Sequence, residues 1–433
     1  MDAPERLAAI RTAFPAEQLF ADKDFLLSPE PFLIDPRLAG DLAKLGHRLL
    51  LFVRACNELY LRSAAGRQPP WIADWLDRGK PPELIALARR PELRDQLPLV
   101  IRPDLVLTEE GFTIAELDSV PGGIGLTAWM NQTYAAPGTH DLLGGATGML
   151  DGFRAILGGA GEVLISREAA TYRPEMEWLA RQSGGAIRVS AVESFDPQAH
   201  RGGTLYRFFE LFDLPNIPTA AAIMDAVGRG ALAITPPFKP HLEEKMWFAL
   251  FWLRPLREFW RRELGERHFV ALQRHIPYTW LVDPTPLPPH AVIPGLDIQS
   301  WEELMHFSQK QRDLILKISG FHETAWGSRS VVLGSDAPQA EWREAIARAL
   351  AASGEHPYLL QRFHKGRLVE QPFQREPGGP IETMRGRVRL CPYYFVVEGK
   401  TQCGGALATI CPPDKKLLHG MRDAILAPTA VRA

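Results

Sequence analysis

The fold turns on residues 97–120, LPLVIRPDLVLTEEGFTIAELDSV. Two apolar segments, 99–107 and 112–117, flank the polar turn Glu109-Glu110-Gly111, which predicts a β-hairpin. Glu116 and Asp118 stand two positions apart on the second arm, so their carboxylates share one face of a strand. If the arms pair, Asp104 on the first arm reaches that face as well, beside Arg102. Three converging carboxylates make a hard-oxygen site of the kind that suits Mg²⁺. A polar-faced edge strand is the competing reading, but the flanks LVIRPDLVL and FTIAEL are too apolar for a solvated face.

N-terminal to the hairpin, apolar residues between 41 and 62 recur at three- and four-residue steps among charges. This is the pattern of an amphipathic helix, and the first hundred residues read as mainly helical. C-terminal to it, GEVLIS, RPEMEWLARQSGG and AIRVSAV predict strand, helix closed by Gly184, and strand: one βαβ unit. The run HLEEKMWFALFWLRPLREFW has a helical period that Pro255 must kink or divide. From about Gln311 short strands alternate with turns and with a helix over residues 339–352. The fold class is α/β or α+β with a strand-rich C-terminal half.

Composition narrows the function. The 433 residues carry 49 Lys+Arg against 51 Asp+Glu, a formal net charge of −2, so binding to nucleic acid through bulk charge is excluded. A hydrophobic content of 46% excludes a disordered acidic chain. The most apolar run, MWFALFWL, is far shorter than the ~20 residues that span a bilayer. Charges at Asp2, Glu5, Arg6 and Arg11 interrupt any signal-peptide core, and four cysteines without a C-x-x-C pair argue against a disulfide framework. The expectation is a cytoplasmic protein.

Lys317 lies near the end of an apolar strand, before a loop containing Gly320, Gly327, Ser328 and Ser330 and a second apolar strand. Such a flap brings backbone N–H groups and a cation to phosphate oxygens, although an ordinary hairpin with a long turn fits the segment equally well. Lys245 reads as a helix lysine, a type usually solvated. Gln361 in YLLQRFH ends a strand where it could meet an adenine edge. Gly123-Ile-Gly-Leu-Thr-Ala matches G-x-G-x-x-A, but Asp118-Ser-Val-Pro stands between the strand and the glycines, which weakens a dinucleotide reading. The three C-terminal cysteines lack metal-ligand spacing and read as core thiols.

Taken in order, these motifs resemble the synthetase module of glutathionylspermidine synthase and its relatives, carboxylate–amine ligases with a circularly permuted ATP-grasp fold. The resemblance rests on Arg102-x-Asp104 followed by Glu116-x-Asp118, on residues 236–280, which look like the family's proline–lysine segment, its lysine (Lys245) and its long helix, and on Lys317 with its flap and Gln361. It implies that Asp104, Glu116 and Asp118 hold Mg²⁺, that Lys245, Lys317, Gly327 and Ser328 contact ATP phosphates, and that Gln361 lies by the adenine. Arg102 would face the reacting carboxylate, and Arg389, Lys415 and Lys416 are further candidates for phosphate or substrate contacts. Asp118 stands where the family pattern has Asn, which adds a negative charge.

The implied organisation is a helical region (1–96), a metal-binding hairpin segment (97–160), a βαβ domain (161–236) and ATP-binding lobes (237–433). The implied activity is an ATP- and Mg²⁺-dependent joining of a small-molecule or peptide carboxylate to an amine. A non-catalytic ATP-binding scaffold is the alternative. Neither nucleic acid nor membrane is expected as a partner, and the oligomeric state is open.

Overall fold

A computed structural model describes residues 2–15, 24–135, 140–200, 202–325, 329–418 and 422–432. The chain forms two compact units, each assembled from separated segments: Met1–Leu50, Arg90–Phe238 and Lys365–Ala433 in the first, Leu51–Arg89 and Lys239–His364 in the second.

The N-terminal region holds α1 (Ala3–Thr12), short strands β1 (Leu26–Leu27) and β2 (Phe32–Ile34), the long helix α2 (Pro36–Ala64), α3 (Trp71–Asp77) and α4 (Pro82–Ala88). The amphipathic period over 41–62 is thus real, and α2 runs beyond it at both ends. The hairpin follows as β3 (Val100–Thr108) and β4 (Gly111–Asp118). Next come α5 (Ile124–Ala135), β5 (Asp141–Leu142), α6 (Gly148–Ile156), β6 (Gly161–Ile165), α7 (Arg173–Gln182), β7 (Ile187–Ala191), β8 (Thr204–Phe208), α8 (Ala220–Gly228) and β9 (Ala233–Thr235). The expected strand–helix–strand unit is β6–α7–β7, with the two strands parallel.

The aromatic run that follows divides into α9 (Trp247–Trp252) and α10 (Arg257–Leu264), with the break at Arg254–Leu256, because Pro255 lacks the N–H a continuous helix needs. Then come α11 (Glu266–His275), β10 (Thr279–Leu281), β11 (Leu314–Ile318), β12 (Val332–Leu333), α12 (Gln339–Ala352), β13 (Tyr358–Arg362), β14 (Leu368–Gln374), β15 (Ile381–Val397), β16 (Lys400–Cys411) and β17 (Ile425–Val431).

Unit one holds a nine-stranded sheet with the path β14-β1-β17-β16-β15-β3-β4, on which β2 and β5 also pair with β17. The 17-residue β15 is long enough to serve two partners along one edge, β14 through residues 381–387 and β3 through Arg389 to Phe395. A separate parallel sheet, β7-β6-β8-β9, belongs to the same unit. Between the two sheets in sequence runs α5, buried on nearly every side. Its N-terminus is closed from another element: Glu175 of α7 accepts from Gly123 N at 2.9 Å and Leu126 N at 3.1 Å. The G-x-G-x-x-A stretch therefore does open a helix, but a protein carboxylate already occupies the N–H groups that a phosphate would need. A Cβ on Gly125 would lie 2.2 Å from Glu175 O, so only glycine permits this approach.

Unit two holds the antiparallel sheet β10-β13-β11-β12. One face packs Leu314, Leu316, Leu360 and Trp280 against Trp342, Ala345, Ile346 and Ala349 of α12. The C-terminal half of α2 contributes Phe52, whose ring stacks on Trp260 at 5.6 Å. Deeper in this unit His241 is fully buried. It stacks on Tyr60 at 3.8 Å, with Nε2 3.3 Å from Asn57 Oδ1, which also accepts from Lys239 Nζ at 2.9 Å. Burial pushes the imidazole pKa well below 6.5, and Lys239, Lys80 and Arg89 push in the same direction. A folded-state pKa below the unfolded value means stability that is present above about pH 6.5 and is lost as pH falls. The urea midpoint is therefore expected to drop between pH 7 and pH 5, and His241→Phe to flatten that slope; equal slopes in both proteins would refute the assignment.

Candidate functional site

In the hairpin, Arg102 pairs with Asp118 and Asp104 with Glu116. This register depends on a β-bulge between Asp104 and Leu105. Leu105 opposes Ile114, so an unbroken ladder would set Asp104 against Ala115 and leave Glu116 on the opposite face. The extra residue moves Glu116 across from Asp104, and all three carboxylates come to share a face.

That face is threaded by arginines. The Arg102 guanidinium contacts Asp118 Oδ2 and lies 3.2 Å from Asp104 Oδ1, while its other terminal nitrogen donates to Gly122 O at 3.0 Å. From β15, Arg389 donates to Asp104 Oδ2 at 3.0 Å. Leu390 opposes Leu105, which sets Cys391 across from Asp104, and its thiol donates to Oδ1 at 3.3 Å. Cys391 is thus more than a core thiol: it is a ligand of the central carboxylate.

The electrostatics follow from this ladder. Burial favours protonation of Asp104, but Arg102 and Arg389 outweigh it and hold the carboxyl below the usual range. Asp118 shifts upward, through burial and then through Asp104 and Glu116, with Arg102 opposing. Burial lowers the Arg102 and Arg389 values, yet the neighbouring acids, Asp118 and Asp104 for the first and Asp104 for the second, more than restore them. The Cys391 thiol is pushed up to about 12 by burial and Asp104. The donor set has the hard-oxygen chemistry of a Mg²⁺ site. As folded, however, Arg102 engages two of the acids, and among the described residues no group of three or more His, Cys, Asp or Glu stands arranged to hold a metal ion. A cation held by all three acids would compete with Arg102 at Asp104 and Asp118 and with Arg389 at Asp104.

The other candidates sit in unit two. Lys317 on β11 and Gln361 on β13 occupy the sheet face opposite α12, because strand alternation sends Leu316 and Leu360 the other way. Lys317 is buried, and its ammonium donates to Gln361 Oε1 at 3.0 Å; Gln361 Nε2 donates in turn to Thr279 Oγ1 at 3.0 Å. Lys245 is not on a helix but in the turn before α9, half-buried, with Nζ donating to Ala325 O at 2.7 Å in the loop after β11. Gly327 and Ser328 lie outside the described residues. Lys415 is exposed and paired with Asp414 at 3.5 Å, and Lys416 follows it in the segment after β16. Sequence reading missed the hydrogen bond from Cys391 and a buried ion pair, Lys80 with Glu244, that adjoins Lys245. Only the adjacency of Glu244 to Lys245 hinted at the second.

No protein-family profile matches the chain, and no curated protein matches it. Among solved structures it is similar to a glutathione synthetase-like effector, GSS30, from Globodera pallida in its apo form, with a TM-score of 0.54 and 12% identity over 100% of this chain and 98% of that one. A putative gamma-glutamylcysteine synthetase from Methylobacillus flagellatus aligns with a TM-score of 0.39 and 12% identity over 90% and 87% of the two chains, too distant to bear on the fold. The first likeness covers both chains end to end and shows a shared overall fold. No described helix is long and apolar enough to cross a membrane.

Proposed function

We propose that this chain is an ATP-dependent ligase that joins a carboxylate to an amine through an acylphosphate. The observation that carries the proposal is Lys317, buried on one face of an antiparallel sheet and bonded to Gln361. An ammonium at this buried position would offer a phosphate oxygen a charge-assisted contact. Lys245 tethers the loop after β11 in the same unit and would take a second phosphate position. The fold likeness to a protein described as glutathione synthetase-like agrees with this class.

In this reading the substrate carboxylate attacks the γ-phosphorus, ADP leaves, and the amine then displaces phosphate from the acylphosphate to form an amide. Arg102 would turn from Asp118 to the substrate carboxylate and stabilise the charge that develops there. On the hairpin of the first unit, Asp104, Glu116 and Asp118 would hold Mg²⁺ once Arg102 withdrew from Asp104 and Asp118 and Arg389 from Asp104. The test is ADP release across a panel of acids and amines with Mg²⁺ present. We expect acid-dependent turnover in the native protein and a loss of roughly 10²–10³ in Glu116→Gln, the range seen when a charge-stabilising group is removed.

A second reading, ATP binding without turnover, draws on the arginine contacts that occupy Asp104 and Asp118. ATP binding with no ADP release over the whole panel would favour it. Full turnover in Glu116→Gln would remove the metal role from Glu116.

A further inference from the structure

Lys80 lies in the turn between α3 and α4, far in sequence from any residue discussed as a phosphate contact. Its ammonium nevertheless pairs with Glu244 Oε1, and each side chain is only 1% exposed. The second Glu244 oxygen accepts from the Ser319 hydroxyl. Ser319 in turn ties two backbones together: its Oγ accepts from Met246 N at 2.9 Å, and its carbonyl accepts from Lys245 N at 3.0 Å. Glu244 is adjacent to Lys245, and Ser319 is two residues beyond Lys317. The contact is close enough to require glycine next to it, since a Cβ on Gly320 would meet Glu243 O at 2.9 Å and Glu244 Cδ at 3.0 Å. The Lys80 ammonium also stands 5.6 Å from the Phe321 ring centroid, which reaches the start of the loop that Lys245 tethers at Ala325.

We propose that Lys80 is a positioning residue: through Glu244 and Ser319 it sets the spacing between the backbones that carry Lys245 and Lys317, and so tunes affinity for the phosphates of a nucleotide rather than for its base. This rests on the ATP reading above. A carboxylate is tenable at so buried a place only with a cation and hydrogen-bond donors around it, and here the cation comes from outside the two segments being joined. Burying three polar groups is a poor way to add stability, since an apolar pair of similar volume is often as stable or more so. What the polar network adds is directional bonding, which holds two backbone segments in one register.

The test compares binding of ATP and of adenosine by calorimetry, with urea midpoints, in the full chain. The variants are Lys80→Met/Glu244→Leu, which replaces the ion pair by apolar groups, and Ser319→Ala, which deletes one hydroxyl and serves if the double variant fails to fold. We expect both to bind adenosine as the native protein does, and the double variant to keep its urea midpoint while binding ATP about tenfold more weakly, as a misplaced charge-assisted contact would cost. For Ser319→Ala, which removes the hydroxyl's bonds to the Glu244 carboxylate and to Met246 N, the expected ATP loss is about tenfold. ATP affinity unchanged in a folded variant, or ATP and adenosine weakened alike, would overturn the positioning role. Absence of ATP binding by the native protein would overturn the ATP reading itself, and the role of Lys80 with it; that outcome is distinguishable because it needs no variant.

Discussion

Asp104→Ala is expected to destabilise the first unit by roughly 3–5 kcal/mol, the cost of removing the acid from a buried charge network and leaving its partners uncompensated. Arg102 and Arg389 both bond to this one carboxylate, and a side chain 4% exposed leaves no room for water to replace it freely. The same change removes the acceptor of the Cys391 thiol. Asp118→Asn is the control. Burial and the repulsion of Asp104 and Glu116 raise the Asp118 pKa against the pull of Arg102, so an amide there should cost less than the loss of Asp104, about 1 kcal/mol. Denaturant unfolding of the two variants checks the ordering. Comparable losses in both would mean that Asp104 is not the keystone of the ladder, and a loss below 1 kcal/mol for Asp104→Ala would show that the arginines find other partners.

Lys317→Met should weaken ATP binding by at least about thirtyfold, the lower end of what truncating one partner of a buried charged contact costs. The isosteric apolar chain leaves β11 and its pairing with β13 intact, since the backbone bonds do not involve the ammonium. Gln361 loses its donor but keeps its bond to Thr279, so the sheet face stays ordered. Lys245→Met should cost less, because Lys245 is half-buried and its charge is partly met by solvent. Calorimetric titration with ATP distinguishes the outcomes: equal, small losses in both variants would place the phosphates elsewhere and sink the ATP reading of this face.

Much of the architecture was legible along the chain because it is written in local periods. The hairpin at 97–120, the helix over 339–352, the strand–helix–strand run from Gly161 and the break at Pro255 each depend on residues within one turn or one pleat of each other. Helix α5 was not legible, and the reason is physical. It is buried on nearly every side, polar Asn131 included, so it has no amphipathic stripe to mark it, and its cap comes from Glu175, about fifty residues away on another helix.

The site shows the same division. The residue types that meet on the hairpin, an arginine and three acids at alternating positions, follow from the sequence alone, as do Lys317 and Gln361 at the ends of strands. Whether those acids share a face was decided by one bulged residue, which local propensity does not announce. What the acids hold was decided by Arg389 and Cys391, nearly three hundred residues on, brought into register by the pairing of β15 with β3. Side-chain alternation is a local property and can be read at once. The partner of a buried charge is a property of which strands become neighbours, and only the folded sheet supplies that.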